Sequence, residues 1–518
     1  MITDELFLAG MILGLFAGIL SGVPAMLAIA GVPLLTAVLG AMVGVFDLGF
    51  LNFFPARVYG TMSNPLLMAV PLFVLMGVLL EKSRLAESML EVLGRMLGGS
   101  TRGMALSVLV FSTIIAASTG IVGATVVMLV LISLPAMLEA GVPKRMATGI
   151  ICASGTLGQI IPPSILLVLL GDQIGNTYLE AQQKAGNFAP DPVSVGDLFA
   201  GALLPGLVLV GLYALYMFVG LRPVAKPSGA ARAVAAAAPV GIREILSSFA
   251  PPILLILAVL GSILVGIATT TEAAGLGAIG ALMLAAYRGG LPGPQRNLVL
   301  SGVLAAFSLM TMRLFSDARS ESAGMGVLAA ALAVLLVLGV VVAGWRLWFR
   351  RLLQGAIRDT LRISGMVFGI VVAASLLALV FRGFGGDEIV MAAMESLPGG
   401  EWGALAAVML VVFLLGFVLE AVEIIYIVVP LLGPPLLGGD ISPIWFGVLL
   451  AMNLQTSFLT PPFGFALFYF RSTAPRHITT TDIYIGVAPF VVLQLVGLGL
   501  LIAFPTLATW LPEKIFGS

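Results

Sequence analysis

Long apolar stretches alternate with short polar breaks from one end of the chain to the other. About 20 apolar residues cross the hydrocarbon core of a bilayer as a helix. On that measure the pattern predicts spans near 6–22, 24–46, 63–80, 146–171, 198–221, 249–267, 271–287, 298–312, 325–343, 361–382, 442–470 and 484–508. The stretch 6–46 is too long for one helix and divides at Ser21-Gly22-Val23-Pro24. Two further segments, 104–140 and 402–438, are apolar but interrupted midway, at Ala117-Ser118-Thr119-Gly120 and at Glu420-Ala421-Val422-Glu423. Each reads as a re-entrant helical hairpin that enters and leaves by one face; two tight ordinary spans are the alternative.

Two of the predicted spans carry a break of their own. Ser154-Gly155-Thr156-Leu157-Gly158-Gln159-Ile160-Ile161-Pro162-Pro163 and Asn453-Leu454-Gln455-Thr456-Ser457-Phe458-Leu459-Thr460-Pro461-Pro462 are polar or glycine-rich runs that end in a proline pair. A helix loses backbone donors at Pro162, Pro163, Pro461 and Pro462 and cannot continue smoothly through them. In lipid an unpaired backbone group is costly, so such a break persists only where protein buries it or where it lines a wet cavity. Ser118 precedes Pro162 by 44 residues and Glu420 precedes Pro461 by 41. Each half thus reads as hairpin, short loop, then broken span. Matched breaks of this kind point to the binding site of a secondary transporter.

The charge map fixes the orientation. Lys82, Arg84, Arg95 and Arg102 precede the first hairpin, and Lys144 and Arg145 follow it. Arg222, Lys226, Arg232 and Arg243 occupy the 222–248 loop; Arg346, Arg350, Arg351, Arg358 and Arg362 crowd another; Arg471 and Arg476 mark the last. All fall on one side, the cytoplasm, if both hairpins are re-entrant. Acid-rich loops with Asp172, Glu180, Asp191 and Asp197, and with Asp387, Glu388, Glu395 and Glu401, fall on the other. Both termini then lie outside and the hairpins open to opposite faces, as an inverted-topology repeat requires. The expected fold class is an all-α polytopic membrane protein with two re-entrant hairpins and two broken spans, of the elevator-transporter type.

Composition agrees and narrows the choices. The 518 residues are 60% hydrophobic and 10% charged, with zero net charge, against about 25% charged in soluble domains. No basic block suggests nucleic acid. The N-terminus, with Asp4 and Glu5, is not read as a signal peptide. Cys152 is the only cysteine and His477, in a polar loop, the only histidine. A zinc site or a Ser-His or Cys-His hydrolase is therefore not expected, no cofactor is implied, and the chain is not read as an enzyme.

At this point the chain resembles the large membrane subunit of TRAP (tripartite ATP-independent periplasmic) transporters, DctM type. The resemblance rests on an ordered set of stretches: Ser63 to Gly77, Ala117 to Thr125, Gly141 to Ala147, Ala153 to Ser164, Thr271 to Gly275, Phe381 to Gly386 and Leu459 to Gly464. It implies a sodium-coupled elevator importer of organic acids in the bacterial inner membrane. Such a subunit works with a small four-span membrane subunit and a periplasmic solute-binding protein. Two departures stand out. Residues 289–345 read as an insertion with two extra spans, and the second tip carries both Glu420 and Glu423 where relatives often carry a single Asp. The expected organisation is 1–103 scaffold, 104–197 first transport repeat, 198–288 scaffold and linker, 289–345 insertion, 346–401 scaffold, 402–482 second transport repeat and 483–518 a final span.

Sodium favours oxygen ligands, and helix ends at a break supply carbonyls on one side and N–H groups on the other. The sodium candidates are Ser118, Thr119, Gly120, Thr156, Gly158, Ile161, Glu420, Gln455, Thr456 and Thr460. The solute candidates are Ser154, Gly155, Gln159, Asn453 and Ser457. Against these stand close packing of small residues, helix–helix hydrogen bonding and, for Glu420 and Glu423, simple solvation. Arg382 and Glu272 read as a snorkelling side chain and a cap, and Asn64 as a helix cap before Pro65. The alternatives are a stand-alone sodium- or proton-coupled carboxylate transporter of the same architecture and, further off, an ion channel or an intramembrane enzyme.

Overall fold

The computed structural model describes residues 2–83, 85–96, 100–221, 240–315 and 323–517; among them the regular structure is helical, with no strand. α1 (Ile2–Leu20) and α2 (Ala25–Met42) part where predicted, at Gly22 with φ +87. A 3-10 turn and α3 (Phe54–Ser63) lead to Asn64, whose side chain accepts from Leu66 N and opens the turn before α4 (Ala69–Lys82). α5 (Leu85–Met96) follows. α3 and α5 fall in stretches read as connectors. They are too short to span, and α5 buries Leu85, Met89, Leu90 and Leu93 on one face, the spacing of an amphipathic helix.

The first hairpin is α6 (Thr101–Thr119) and α7 (Val122–Glu139), and the first broken span is α8 (Lys144–Thr156) and α9 (Ile165–Lys184). α10 (Val195–Gly220), α11 (Ile242–Leu264) and α12 (Thr270–Arg288) complete that half. The segment predicted to hold two extra spans folds as α13 (Gly293–Phe315) and α14 (Ala323–Phe349); α14 is long and apolar enough to cross a membrane, whereas α13 does not reach that measure. α15 (Leu352–Gly383) and α16 (Gly386–Glu395) precede the second hairpin, α17 (Gly400–Leu415) and α18 (Ala421–Leu432), with the short α19 (Pro434–Leu437). The second broken span is α20 (Pro443–Leu459) and α21 (Phe465–Thr473), and the chain ends in α22 (Thr480–Ala503) and α23 (Thr506–Phe516). By length and composition, eight helices among the described residues can cross a membrane; the protein is a multi-pass membrane protein.

Several predictions of loop and span are corrected. α9 continues to Lys184, so Asp172 is not a loop residue. It is 6% exposed and accepts from Asn64 Nδ2 at 2.8 Å. α15 has 32 residues, about 48 Å at 1.5 Å each, so Arg358 and Arg362 ride on its projecting first turns. Asp387, Glu388 and Glu395 lie on α16, and Glu401 opens α17. The last predicted span is divided at Phe504-Pro505. Arg84, Arg222, Lys226 and Arg232 lie outside the described residues.

α15 packs on α2 and α4, and α4 on α12, while α6, α7, α8, α21 and α22 form a second group; α18 bridges to α9 and α15. The two polar ends follow the charge map. At one end Lys82 pairs with Asp359, Arg95 with Glu244 and Arg145 with Asp482. At the other, Arg382 grips both oxygens of Glu180 at 2.9 and 3.0 Å, and Lys184 reaches Glu180 and Asp387.

Candidate functional site

Both hairpin tips and both breaks meet in one place. A cavity of about 90 Å³ lies between Gly120 to Gly123 of the first tip, Gln159 and the start of α9, Glu420 to Val422 of the second tip, and Phe458, Phe465 and Tyr469 of the second break. Ile363, Met366 and Val367 of α15 close the remaining wall. The space is large enough for several waters.

The first tip turns at Gly120, in the left-handed region with φ +62, and its N–H donates to Ala116 O. Glycine has no penalty there. A Cβ on Gly120 would also stand 3.1 Å from Ile165 N, so tip and broken helix touch at backbone distance. The side chains of Ser118 and Thr119 lie outside the described residues.

The second tip turns differently. Residues 416–420 leave the helix, a few positions earlier than predicted, and Glu420 caps α18. Its carboxylate accepts from Glu423 N, while Glu423 accepts from Glu420 N at 3.1 Å. This reciprocal capping box satisfies two orphan donors. Glu423 is 6% exposed; Glu420 is half-buried and lines the cavity.

In the first break, Pro162 leaves the Gly158 carbonyl without its helical donor, and Ile160 and Ile161 carbonyls accept no backbone hydrogen bond among the described residues. Gln159 O, one turn before Pro163, accepts instead from Ser164 Oγ at 2.9 Å. The Gln159 side chain is buried, lines the cavity, and its Oε1 has no partner. Ile161 packs toward Gly206. In the second break, Pro462 leaves Phe458 O without a donor, and the Thr460 hydroxyl bonds back to Thr456 O at 2.7 Å. The first break is sealed in the interior, whereas Pro462 and Phe463 are exposed. The Pro162–Pro163 and Pro461–Pro462 peptides are both cis.

Thr156 and Gln455 do come together across the halves. Thr156 Oγ1 accepts from Gln455 Nε2 at 3.2 Å and from Gln494 Nε2 at 3.4 Å, and donates to Ala153 O. All three side chains are buried, and both glutamines keep an unpartnered Oε1. Gln494 of α22 was not singled out in the sequence, because one amide in a long apolar span carries no local pattern. Thr456 is engaged with Met452 O. Ser154 is fully buried with an unpartnered hydroxyl. Asn453 donates to Met409 O at 2.6 Å and Ser457 to Phe413 O at 2.6 Å, so these two polar groups face α17. Gly155 and Gly158 press on the first hairpin: a Cβ would meet Val126 Cγ2 at 2.3 Å and Ala116 O at 2.8 Å respectively. Arg382 holds the acidic cluster at the polar end, and Glu272 caps α12 through a box with Thr269.

Paired hairpins and paired broken helices that converge on one cavity define a membrane transport permease. The model of the Tripartite ATP-independent periplasmic transporter, DctM component, matches residues 12–337 and 304–507, and the chain belongs to that family. The two matches overlap inside the segment read as an insertion. The chain is 26% identical to a C4-dicarboxylate TRAP transporter large permease, DctM, of Vibrio cholerae, over 87% of this chain and 86% of the relative. It is 24% identical to a sialic acid TRAP transporter large permease, SiaM, of the same organism, over 98% and 99%. Its fold resembles the Alcanivorax borkumensis YdaH transporter, with a TM-score of 0.53 and 13% identity over 89% of this chain and 90% of that one. These relatives are permease subunits rather than enzymes.

Proposed function

We propose that the chain is the large subunit of a sodium-driven importer of an organic acid in the bacterial inner membrane. It works with a small four-span subunit and a periplasmic solute-binding protein, and carries its cargo by an elevator motion. The observation that carries this reading is the cavity: both tips and both breaks line it, and its last wall is α15, which packs on α2 and α4. A site placed at the boundary between the two packing groups is where sliding one past the other changes access. The free carbonyls of the first break, Gly120, Gln159 and Glu420 supply oxygens of the kind a hard cation takes, and N–H groups at the start of α9 suit a carboxylate. Its similarity to C4-dicarboxylate and sialic acid permeases supports an acidic solute.

The test is uptake of radiolabelled acids into proteoliposomes that hold both membrane subunits, with the binding protein outside. Accumulation is expected with an inward sodium gradient and not with potassium. Uptake that needs only a proton gradient, or that proceeds without either partner, would overturn the sodium-coupled tripartite reading.

A further inference from the structure

A second cavity lies beside the two helices of the segment read as an insertion. Met283 Cε of α12 sits between Gly302 of α13 and Gly339 of α14, where a Cβ on either glycine would come within 2.7 and 2.8 Å of it. Of α13 and α14, it is α14 that packs more closely on α12, and α13 leans on α14. α13 is thereby held off α11 and α12, and an apolar groove of about 390 Å³ remains between the three. It runs from Ser247 and Tyr287 at one end to Leu276 and Met310 at the other. Eleven residues of α12 separate Tyr287 from Leu276, roughly 16 Å along the axis. That is about half of the ~30 Å hydrocarbon core, the depth of one leaflet.

The groove ends among cations. Arg243 lies in the first turn of α11, Arg288 is the last residue of α12, and Arg296 lies in the first turn of α13. Arg288 donates to the Ser247 carbonyl at the mouth. Glu244, the carboxylate in that turn, is paired with Arg95. Arg243 and Arg296 are exposed and have no carboxylate at ion-pair distance among the described residues. This is the end that the charge map assigns to the cytoplasm. Apolar depth of one leaflet, capped by uncompensated arginines, is the chemistry of a phospholipid with an anionic headgroup.

We propose that the groove binds one anionic phospholipid of the cytoplasmic leaflet, an acyl chain lying between α11, α12 and α13 and the phosphate held by Arg243, Arg288 and Arg296. Native mass spectrometry of the full chain, incubated with phosphatidylglycerol or phosphatidylcholine of identical acyl chains, tests it. Phosphatidylglycerol adducts are expected at severalfold higher occupancy. R243Q/R296Q, which alters only exposed side chains, should bring them down to the phosphatidylcholine level. A306W, which fills the groove from α13, should remove the tightly held adduct of either lipid. Equal adducts for the two lipids, or a phosphatidylglycerol preference that survives R243Q/R296Q, would overturn the proposal. So would F307C cross-linking to another membrane polypeptide in cells, since the groove would then hold a protein helix.

Discussion

The two broken helices perform one task by opposite chemistry. The first is seated on its hairpin by removal of side chains, because Gly155 and Gly158 let it approach Val126 and the Ala116 carbonyl. The second is seated by added donors, because Asn453 and Ser457, one turn apart, reach the Met409 and Phe413 carbonyls of α17. The tips differ in the same sense: a left-handed glycine closes the first and a two-carboxylate capping box closes the second. A matched architecture therefore needs no matched letters. What both halves must share is a chain that stops being a helix at the same depth, and the proline pairs ensure that in each.

The contrast is sharpest in its response to substitution. Gly158→Val should cost about 3 kcal/mol, since the new Cβ faces a backbone oxygen that cannot rotate away; unfolding of the purified chain in detergent measures it. Asn453→Leu should cost less, about 1–2 kcal/mol, and Ser457→Ala about 1 kcal/mol, the worth of a hydrogen bond whose acceptor stays inside a helix. Equal losses for Gly158→Val and Asn453→Leu would mean that both halves are seated alike, and the comparison would fail. At the second tip, Glu423→Ala should cost about 1 kcal/mol as a lost cap, while Glu423→Gln, which keeps an acceptor for Glu420 N, should be close to neutral. A large loss with Gln would show that the charge of Glu423, rather than its capping bond, holds the tip.

Much of this was legible in the sequence because it is written in backbone-breaking residues. Pro162, Pro163, Pro461 and Pro462 announce the breaks, Gly22 and Gly120 the turns, and Asn64 and Glu272 their caps. What stayed hidden depends on partners distant in the chain. Asp172 looked like a loop acid because the apolar run stops before it, yet Asn64, 108 residues away, and Tyr426 accommodate its carboxylate inside the protein. Gln494 is an isolated amide until α22 lies against α8 and brings it to Thr156. The small helices α3 and α5 were hidden because runs of 10 and 12 residues are too short to stand out against apolar stretches of bilayer length.

The smallest effect concerns the contact that joins the halves rather than either half alone. Glu180 of α9 is held by Arg382 of α15 and by Lys184, with Asp387 completing the cluster. Burial pushes the Glu180 carboxyl up, but the hydrogen bonds and charges of Arg382 and Lys184 outweigh it and hold the group below its ordinary 4.5. A carboxyl depressed on folding contributes stability that is complete above its unfolded value and is lost as pH falls through the folded one. The contribution should therefore be constant at neutral pH and decline once pH drops below about 4.5. The cluster is partly exposed, so solvent screening limits it to about 0.5–1 kcal/mol. Glu180→Gln should lower the melting temperature slightly at pH 7 in low salt, lose most of that difference at high salt, and flatten the acid limb of the stability profile. An unchanged acid limb in the variant would show that the two halves are held together at this end by packing alone, and that the Glu180–Arg382 pair contributes orientation without measurable stability.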